Sequence, residues 1–178
     1  MLYISYFDSP LGKIFISADD NGLKGLTYEQ EAGNIFNVDL KDVEYSDDHP
    51  VVLDAKLWLS IYFSGAEPDF MPALTLEGSE FRRQVWEILL TIPYGHSMTY
   101  GEIAQIIARK RGTGASAQAV GGAVANNPIA VIVPCHRVLG DQGALGGYSG
   151  GTERKKFLLN LEKIEYVEQS SLIRHDKG

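Results

Sequence analysis

Cys135 is the only cysteine in the 178 residues, and it stands in the segment Val133-Pro-Cys-His-Arg-Val138. A thiol attacks as its thiolate, and adjacent cationic or hydrogen-bonding groups favour that form. His136 and Arg137 follow the cysteine directly, and Pro134 stiffens the approach to it. A glycine-rich stretch from Gly140 to Gly151 comes next and is suited to wrapping a flat ligand. Tyr148 and Ser149 within it offer a stacking face and polar donors. Glu162 falls at the far end of the last helical segment, a candidate partner for the imidazole. Taken singly, each group also fits a plainer role: an inert core thiol, a structurally bonded histidine, a solvated helix end. Spacing alone leaves those alternatives open. One cysteine excludes an internal disulfide and a multi-thiolate zinc site within one chain.

The rest of the chain divides by charge and by pattern. With 44% hydrophobic and 22% charged residues it reads as an ordinary globular protein. No apolar run approaches the ~20 residues of a membrane span. The start, MLYISYFDSP, lacks a basic n-region and reaches Asp8 at once, so no secretory signal and a cytoplasmic location are expected. The formal net charge of −7 hides an asymmetry. Up to Leu76 four bases face thirteen acids, a net of −9; from Glu77 to Glu165 ten bases face eight acids, a net of +2. This predicts a small acidic domain over residues 1–76 and a second domain over 77–168, with only the latter suited to a polyanion. Residues 169–178 read as a loose tail.

In the first half, Leu2–Phe7, Lys13–Ser17 and Leu23–Tyr28 are strand-like, and Ser9-Pro-Leu-Gly12 and Asp19-Asp-Asn-Gly22 separate them as turns. A β-meander is expected. Gly33 to Asp48 is acidic and fits no pattern. Val51, Ala55, Trp58, Leu59, Tyr62 and Phe63 fall at helical spacing, with Gly65 as a stop and Gly65–Pro72 as a linker. The second half is mostly helical. Ser79 caps a helix with Phe81, Val85, Leu89 and Ile92 on one face. Thr99 and Glu102 form a capping box for a helix carrying Ile103, Ile106 and Ile107 inward. Arg109-Lys-Arg111 suits the negative end of that helix dipole. Ser116 caps a further helix, Ala117–Ala125, ended by Asn126-Asn-Pro128. Two helices joined by a short glycine turn fit a helix-turn-helix. The second is almost all small residues, and Gly121 and Gly122 each cost about 1 kcal/mol against alanine. Either it packs tightly on a neighbouring helix or it enters a groove without long side chains. Ile129–Val133 reads as a short buried strand leading to Cys135.

Taken together, Asn127-Pro128, Val133-Pro-Cys-His-Arg-Val138 and Gly146-Gly-Tyr-Ser-Gly-Gly151 resemble the O6-alkylguanine-DNA alkyltransferases (methylated-DNA–protein-cysteine methyltransferases). Ile92-Pro-Tyr-Gly95, Thr99-Tyr-Gly-Glu-Ile-Ala104 and Ala119-Val-Gly-Gly122 extend the resemblance from about Phe81 to Glu162. It implies an α/β, ribonuclease-H-like N-terminal domain before the helical domain with its helix-turn-helix. It implies stoichiometric transfer of a methyl or alkyl group from O6 of guanine, and O4 of thymine, to Cys135 after base flipping. On that resemblance His136 would act as a water-mediated base with Glu162 orienting it, Asn127 would organise the turn, and Tyr100 would stack near the base and donate a proton toward N3. Val138, Gly146, Tyr148 and Ser149 would contact the guanine, and Arg137 would be structural. Gln118, Ala119, Gly121, Gly122 and Ala125 would meet double-stranded DNA in the minor groove. The implied protein is a monomer that needs no cofactor and no membrane. The chain departs from the family at Gln118, where the family carries an arginine that fills the stack. Family zinc sites use cysteines and histidines near the start; with one cysteine and His49, His96, His136 and His175 scattered, no metal is expected. The competing classes are a non-catalytic lesion-binding relative, against which Cys135 counts, a helix-turn-helix regulator, and a cysteine hydrolase, which would turn over repeatedly.

Overall fold

The computed structural model describes residues 1–29 and 40–168. The expected tail from residue 169, and residues 33–39 of the unassigned acidic stretch, lie outside the described residues. The chain divides into two compact units, Met1–Glu77 with Pro128–Ala130, and Gly78–Asn127 with the chain from Val131 onward.

In the first unit the meander forms as the turn signals predict: β1 (Leu2–Ser9), β2 (Gly12–Asp19) and β3 (Gly22–Tyr28), all antiparallel. Asp19 Oδ1 accepts from the amides of Asn21 and Gly22 at 2.8 and 3.0 Å, which fixes the second turn. A short β4 (Val43–Tyr45) adds in parallel beside β1, giving the order β3-β2-β1-β4. Strand alternation places Ile14, Ile16 and Ala18 on one buried row. Opposite them a bulge inserts Lys24, so that Leu23 pairs Ala18 while Gly25 pairs Ser17. The extra residue turns Leu23 onto the same face as Leu26 and Tyr28. The helix α1 (Pro50–Phe63) covers this sheet with Val51, Val52, Ala55, Trp58, Leu59 and Tyr62. It starts at Pro50, where a missing N–H is harmless, and His49 Nδ1 caps it by accepting from Val51 N at 3.2 Å.

The second unit is helical: α2 (Glu80–Leu89), α3 (Tyr100–Arg111), α4 (Ala117–Ala125) and α5 (Thr152–Leu161). Ser79, Thr99 and Ser116 cap the first three as expected, and Thr99 with Glu102 makes the full reciprocal capping box. Val85, Leu89 and Ile92 are buried, as are Ile103 and Ile107; Phe81 and Ile106 are only half-buried. Trp86 lies against the small residues of α4 and donates Nε1–H to the Ala123 carbonyl at 2.9 Å. A two-residue parallel ladder joins β5 (Met98–Thr99) to β6 (Val138–Leu139). No helix among the described residues is long and apolar enough to cross a membrane.

The expected strand Ile129–Val133 does not form. Ile129 makes one isolated bridge to Leu26, and the chain then turns. Val131 has φ +69°, which a β-branched residue enters only at a cost of about 1–3 kcal/mol. The run is apolar because it is buried, not because it is extended.

Candidate active site

The turn that carries the thiol is built by its own backbone. Pro134 sits at φ −83°, ψ 65°, the geometry of an inverse γ-turn, closed by Cys135 N–H donating to the Val133 carbonyl at 2.8 Å. Asn127 Nδ2 donates to that same carbonyl, also at 2.8 Å. Proline supplies the φ, and asparagine holds the turn from behind. Cys135–Arg137 then makes one 3-10 turn that runs straight into β6. Because β6 pairs with β5, and β5 leads directly into α3, Tyr100 at the first position of α3 is delivered to the thiol.

Cys135 is 4% exposed and opens into a pocket of about 330 Å³. Tyr100, Gly121, Val124, Ala125, Gly147, Tyr148 and Ser149 complete its lining. Burial, and then the charge of the Cys135 thiolate, raise the Tyr100 pKa, so the phenol holds its proton. Thus Tyr100, Cys135, Tyr148 and Ser149 converge on one cavity, and α4 contributes Gly121 and Ala125.

Behind the thiol lies a closed polar cluster. His136 is fully buried, with Nε2 2.6 Å from Glu162 Oε2. Arg137 Nε donates to Glu162 Oε1 at 2.8 Å, and Gly95 N–H donates to the same oxygen at 3.0 Å. The guanidinium also donates to the Ile92 carbonyl at 2.7 Å and lies 5.7 Å from the Tyr94 ring centre. Burial pushes the Glu162 carboxyl up, but the histidine, the arginine and the Gly95 amide outweigh it and bring it down to about 2. Burial lowers the His136 pKa more than Glu162 raises it, so the ring is held neutral. A permanent carboxylate accepting from Nε2–H assigns the basic lone pair to Nδ1. The carboxylate therefore orients the imidazole and selects its tautomer.

Other predicted residues are not in the cavity lining itself. Gln118, Ala119 and Gly122 are on the exposed face of α4. Val138 is buried, and Gly146, at φ +68°, borders the cavity, since a Cβ there would lie 3.6 Å from the Tyr100 ring. A Cβ on Gly121 would meet only Tyr100, at an ordinary 4.0 Å, and one on Gly122 would meet nothing within 4 Å. Tight helix packing therefore does not demand glycine at either position. Gly122→Ala is expected to raise stability by about 1 kcal/mol, read as a higher denaturation midpoint, with weaker duplex binding. Two contributors escaped the sequence reading. Val124 lines the pocket, as any apolar position of a small-residue helix would be free to do. Lys155, one of two adjacent lysines on α5, is fully buried, whereas its neighbour Lys156 pairs at the surface with Glu153 and Glu168.

A buried thiol that opens into a cavity, followed in the chain by a neutral, carboxylate-bound imidazole, is an arrangement able to use its cysteine as a nucleophile. Residues 80–164 match the family model of the 6-O-methylguanine DNA methyltransferase DNA-binding domain. The chain is 38% identical over 173 residues to a methylated-DNA–protein-cysteine methyltransferase of Haemophilus influenzae, covering 96% of this chain and 91% of that one. It is 40% identical over 161 residues to the protein of that name from Methanosarcina acetivorans, covering 90% and 98%. Among solved structures, Mycobacterium tuberculosis OGT in complex with DNA superposes with a TM-score of 0.76 at 38% identity, covering 90% of this chain and 93% of that one. The chain belongs to the methylated-DNA–protein-cysteine methyltransferase family.

Proposed function

We propose that this protein repairs DNA by moving a methyl or alkyl group from O6 of guanine, and from O4 of thymine, onto Cys135, once per molecule. The observation that carries the reading is the thiol at the floor of the 330 Å³ pocket, backed by the His136–Glu162 pair. His136 Nδ1 takes the thiol proton through a water. The thiolate pair forms the S–C bond as the C–O6 bond breaks, and the electrons leave on the purine. Tyr100, which keeps its proton, neutralises the departing guanine at N3. The thioether is stable, so the site is spent. Asn127 keeps the turn in place, Arg137 holds Glu162, and Val138, Gly146, Tyr148 and Ser149 contact the base.

A stacked base cannot reach a buried sulfur, so the guanine must be flipped out of the duplex, at a cost of a few kcal/mol. On this reading α3 and α4 are a helix-turn-helix whose exposed small residues, Ala119, Gly121, Gly122 and Ala125, lie in the minor groove. Arg82, Arg83 and Arg109–Arg111 meet phosphates. The first unit is a ribonuclease-H-like domain, the second unit carries out the transfer, and the protein acts as a monomer in the cytoplasm without a cofactor or metal. The test is intact-mass spectrometry after mixing with a duplex containing O6-methylguanine. One methyl increment per chain is expected, and none with the unmodified duplex. No increment on folded protein, or repeated turnover, overturns the reading.

Gln118 enters the space left by the flipped base with a shorter, uncharged side chain than the arginine usual in the family. Gln118→Arg is therefore expected to tighten duplex binding and speed transfer severalfold, measured by anisotropy and single-turnover kinetics. Unchanged values for both would remove Gln118 from this role.

A further inference from the structure

We propose that Trp86 is a positioning residue of the transfer reaction: its indole N–H fixes the end of α4, and with it the Asn127 side chain that holds the nucleophile turn. The proposal rests on the reading of the pocket given above. Trp86 is 2% exposed and lies near the middle of α2. Its Nε1–H donates to the Ala123 carbonyl, in the last turn of α4, at 2.9 Å. At that point the helical pattern gives out. The Asn126 N–H is shared between the Gly122 and Ala123 carbonyls at 3.2 and 3.3 Å. A regular α-helix would bring the Asn127 N–H to Ala123, four residues back; here it reaches the Val124 carbonyl, at 3.3 Å. The short bond that the Ala123 carbonyl accepts comes from Trp86. The chain can therefore leave the helix at Asn127 without a poorly bonded carbonyl in the core. Asn127 Nδ2 then donates to the Val133 carbonyl at 2.8 Å, the same oxygen that accepts from the Cys135 N–H.

The opposite edge of the ring is fixed as well. A Cβ on Gly78 would fall 2.7 and 2.9 Å from Cη2 and Cζ3 of the indole, closer than such atoms pack, so the Gly78 backbone lies directly against the benzo edge. The bicyclic ring thus reaches from Gly78 to the end of α4 with its donor at the far side. Filling the core needs only apolar volume, which a phenylalanine would also supply. What volume does not require is one N–H aimed at the carbonyl where the helix stops. The same helix lends Gly121, Val124 and Ala125 to the cavity, so this contact sets the pocket wall and the sulfur in one register.

The test is a double-mutant cycle between Trp86→Phe, which keeps a ring and removes the donor, and Asn127→Ala. In Trp86→Phe, single-turnover transfer from saturating O6-methylguanine duplex slows about tenfold. Alkylation of the chain's one thiol by iodoacetamide instead quickens about threefold, because a loosened turn uncovers a sulfur that is 4% exposed. Asn127→Ala moves both rates in the same directions and further. The double variant matches Asn127→Ala alone in both, since Trp86 acts through Asn127. A tryptophan that only fills the core gives factors that multiply in the double variant, or leaves both rates of the folded protein unchanged, and either result overturns the proposal. Benzothienylalanine placed at position 86 keeps the bicyclic shape and puts sulfur where the N–H was; it carries the same comparison should the phenylalanine variant fail to fold. If wild type takes up no methyl group, the reading of the pocket fails, while the iodoacetamide cycle still decides whether Trp86 acts through Asn127.

Discussion

Cys135→Ser is expected to leave a folded protein that binds lesion-bearing duplex and takes up no methyl group. The swap keeps the shape of the side chain and puts a hydroxyl where the thiol was, at a stability cost of about 1–3 kcal/mol. The nucleophile, however, disappears. A serine hydroxyl ionises far above neutral pH, and neutral oxygen is a far weaker nucleophile than a thiolate toward the saturated carbon of an alkyl group. No second thiol exists to take over. Intact mass reads the chemistry and anisotropy reads the binding, so the two are separable on one sample. Residual methyl uptake by the serine variant would sink the assignment of Cys135 as acceptor.

Glu162→Ala is expected to be the most destabilising single change in the second unit, by about 3–5 kcal/mol, because it strands the Arg137 guanidinium in a buried site. Glu162→Gln is milder for the fold and harsh for the reaction. The amide no longer stabilises a charged imidazole or selects the Nδ1 lone pair, and transfer falls about a hundredfold. Acid adds a third reading. Folding lowers the Glu162 pKa from 4.5 to about 2. The unfolded chain therefore binds that proton first as the pH falls. The stabilisation, on the order of 3 kcal/mol, is complete above the unfolded value and is lost as the pH drops from 4.5 toward 2. His136 acts in the same direction from a higher starting point, since a histidine kept neutral by burial favours the unfolded state once the pH falls below 6.5. Urea midpoints at neutral and acid pH measure both. The glutamine variant should lose the lower part of the slope; an unchanged slope would assign the acid sensitivity elsewhere.

Local signals carried much of the architecture. The Asp19–Gly22 turn, the three serine and threonine caps and the apolar face of α1 each depend on a few neighbouring residues, and each appears where the pattern placed it. The turn at Ile129–Val133 was not legible because a β-branched apolar run has the same composition whether it is extended or coiled in a core. Burial of Lys155 was equally hidden: a Lys-Lys pair on an amphipathic helix reads as solvated, and only the return of the Val138 and Gly147 carbonyls to α5 shows otherwise. For the site, Cys135, His136 and Glu162 stood out by type, but their union depends on Gly95 and Ile92, which lie more than forty residues upstream of Arg137 or Glu162 along the chain.

A nucleophile that works once must survive until its lesion arrives. What little of Cys135 is exposed opens into the cavity that Tyr100 and Tyr148 also line. Exchange with a tripeptide disulfide such as oxidised glutathione needs three sulfurs in line, which a sulfur only 4% exposed disfavours; peroxide, scarcely larger than water, meets no such obstacle. The idle protein is thereby guarded against mixed disulfides but remains open to sulfenic acid formation, and oxidative stress drains the same reserve of sulfur that repair consumes.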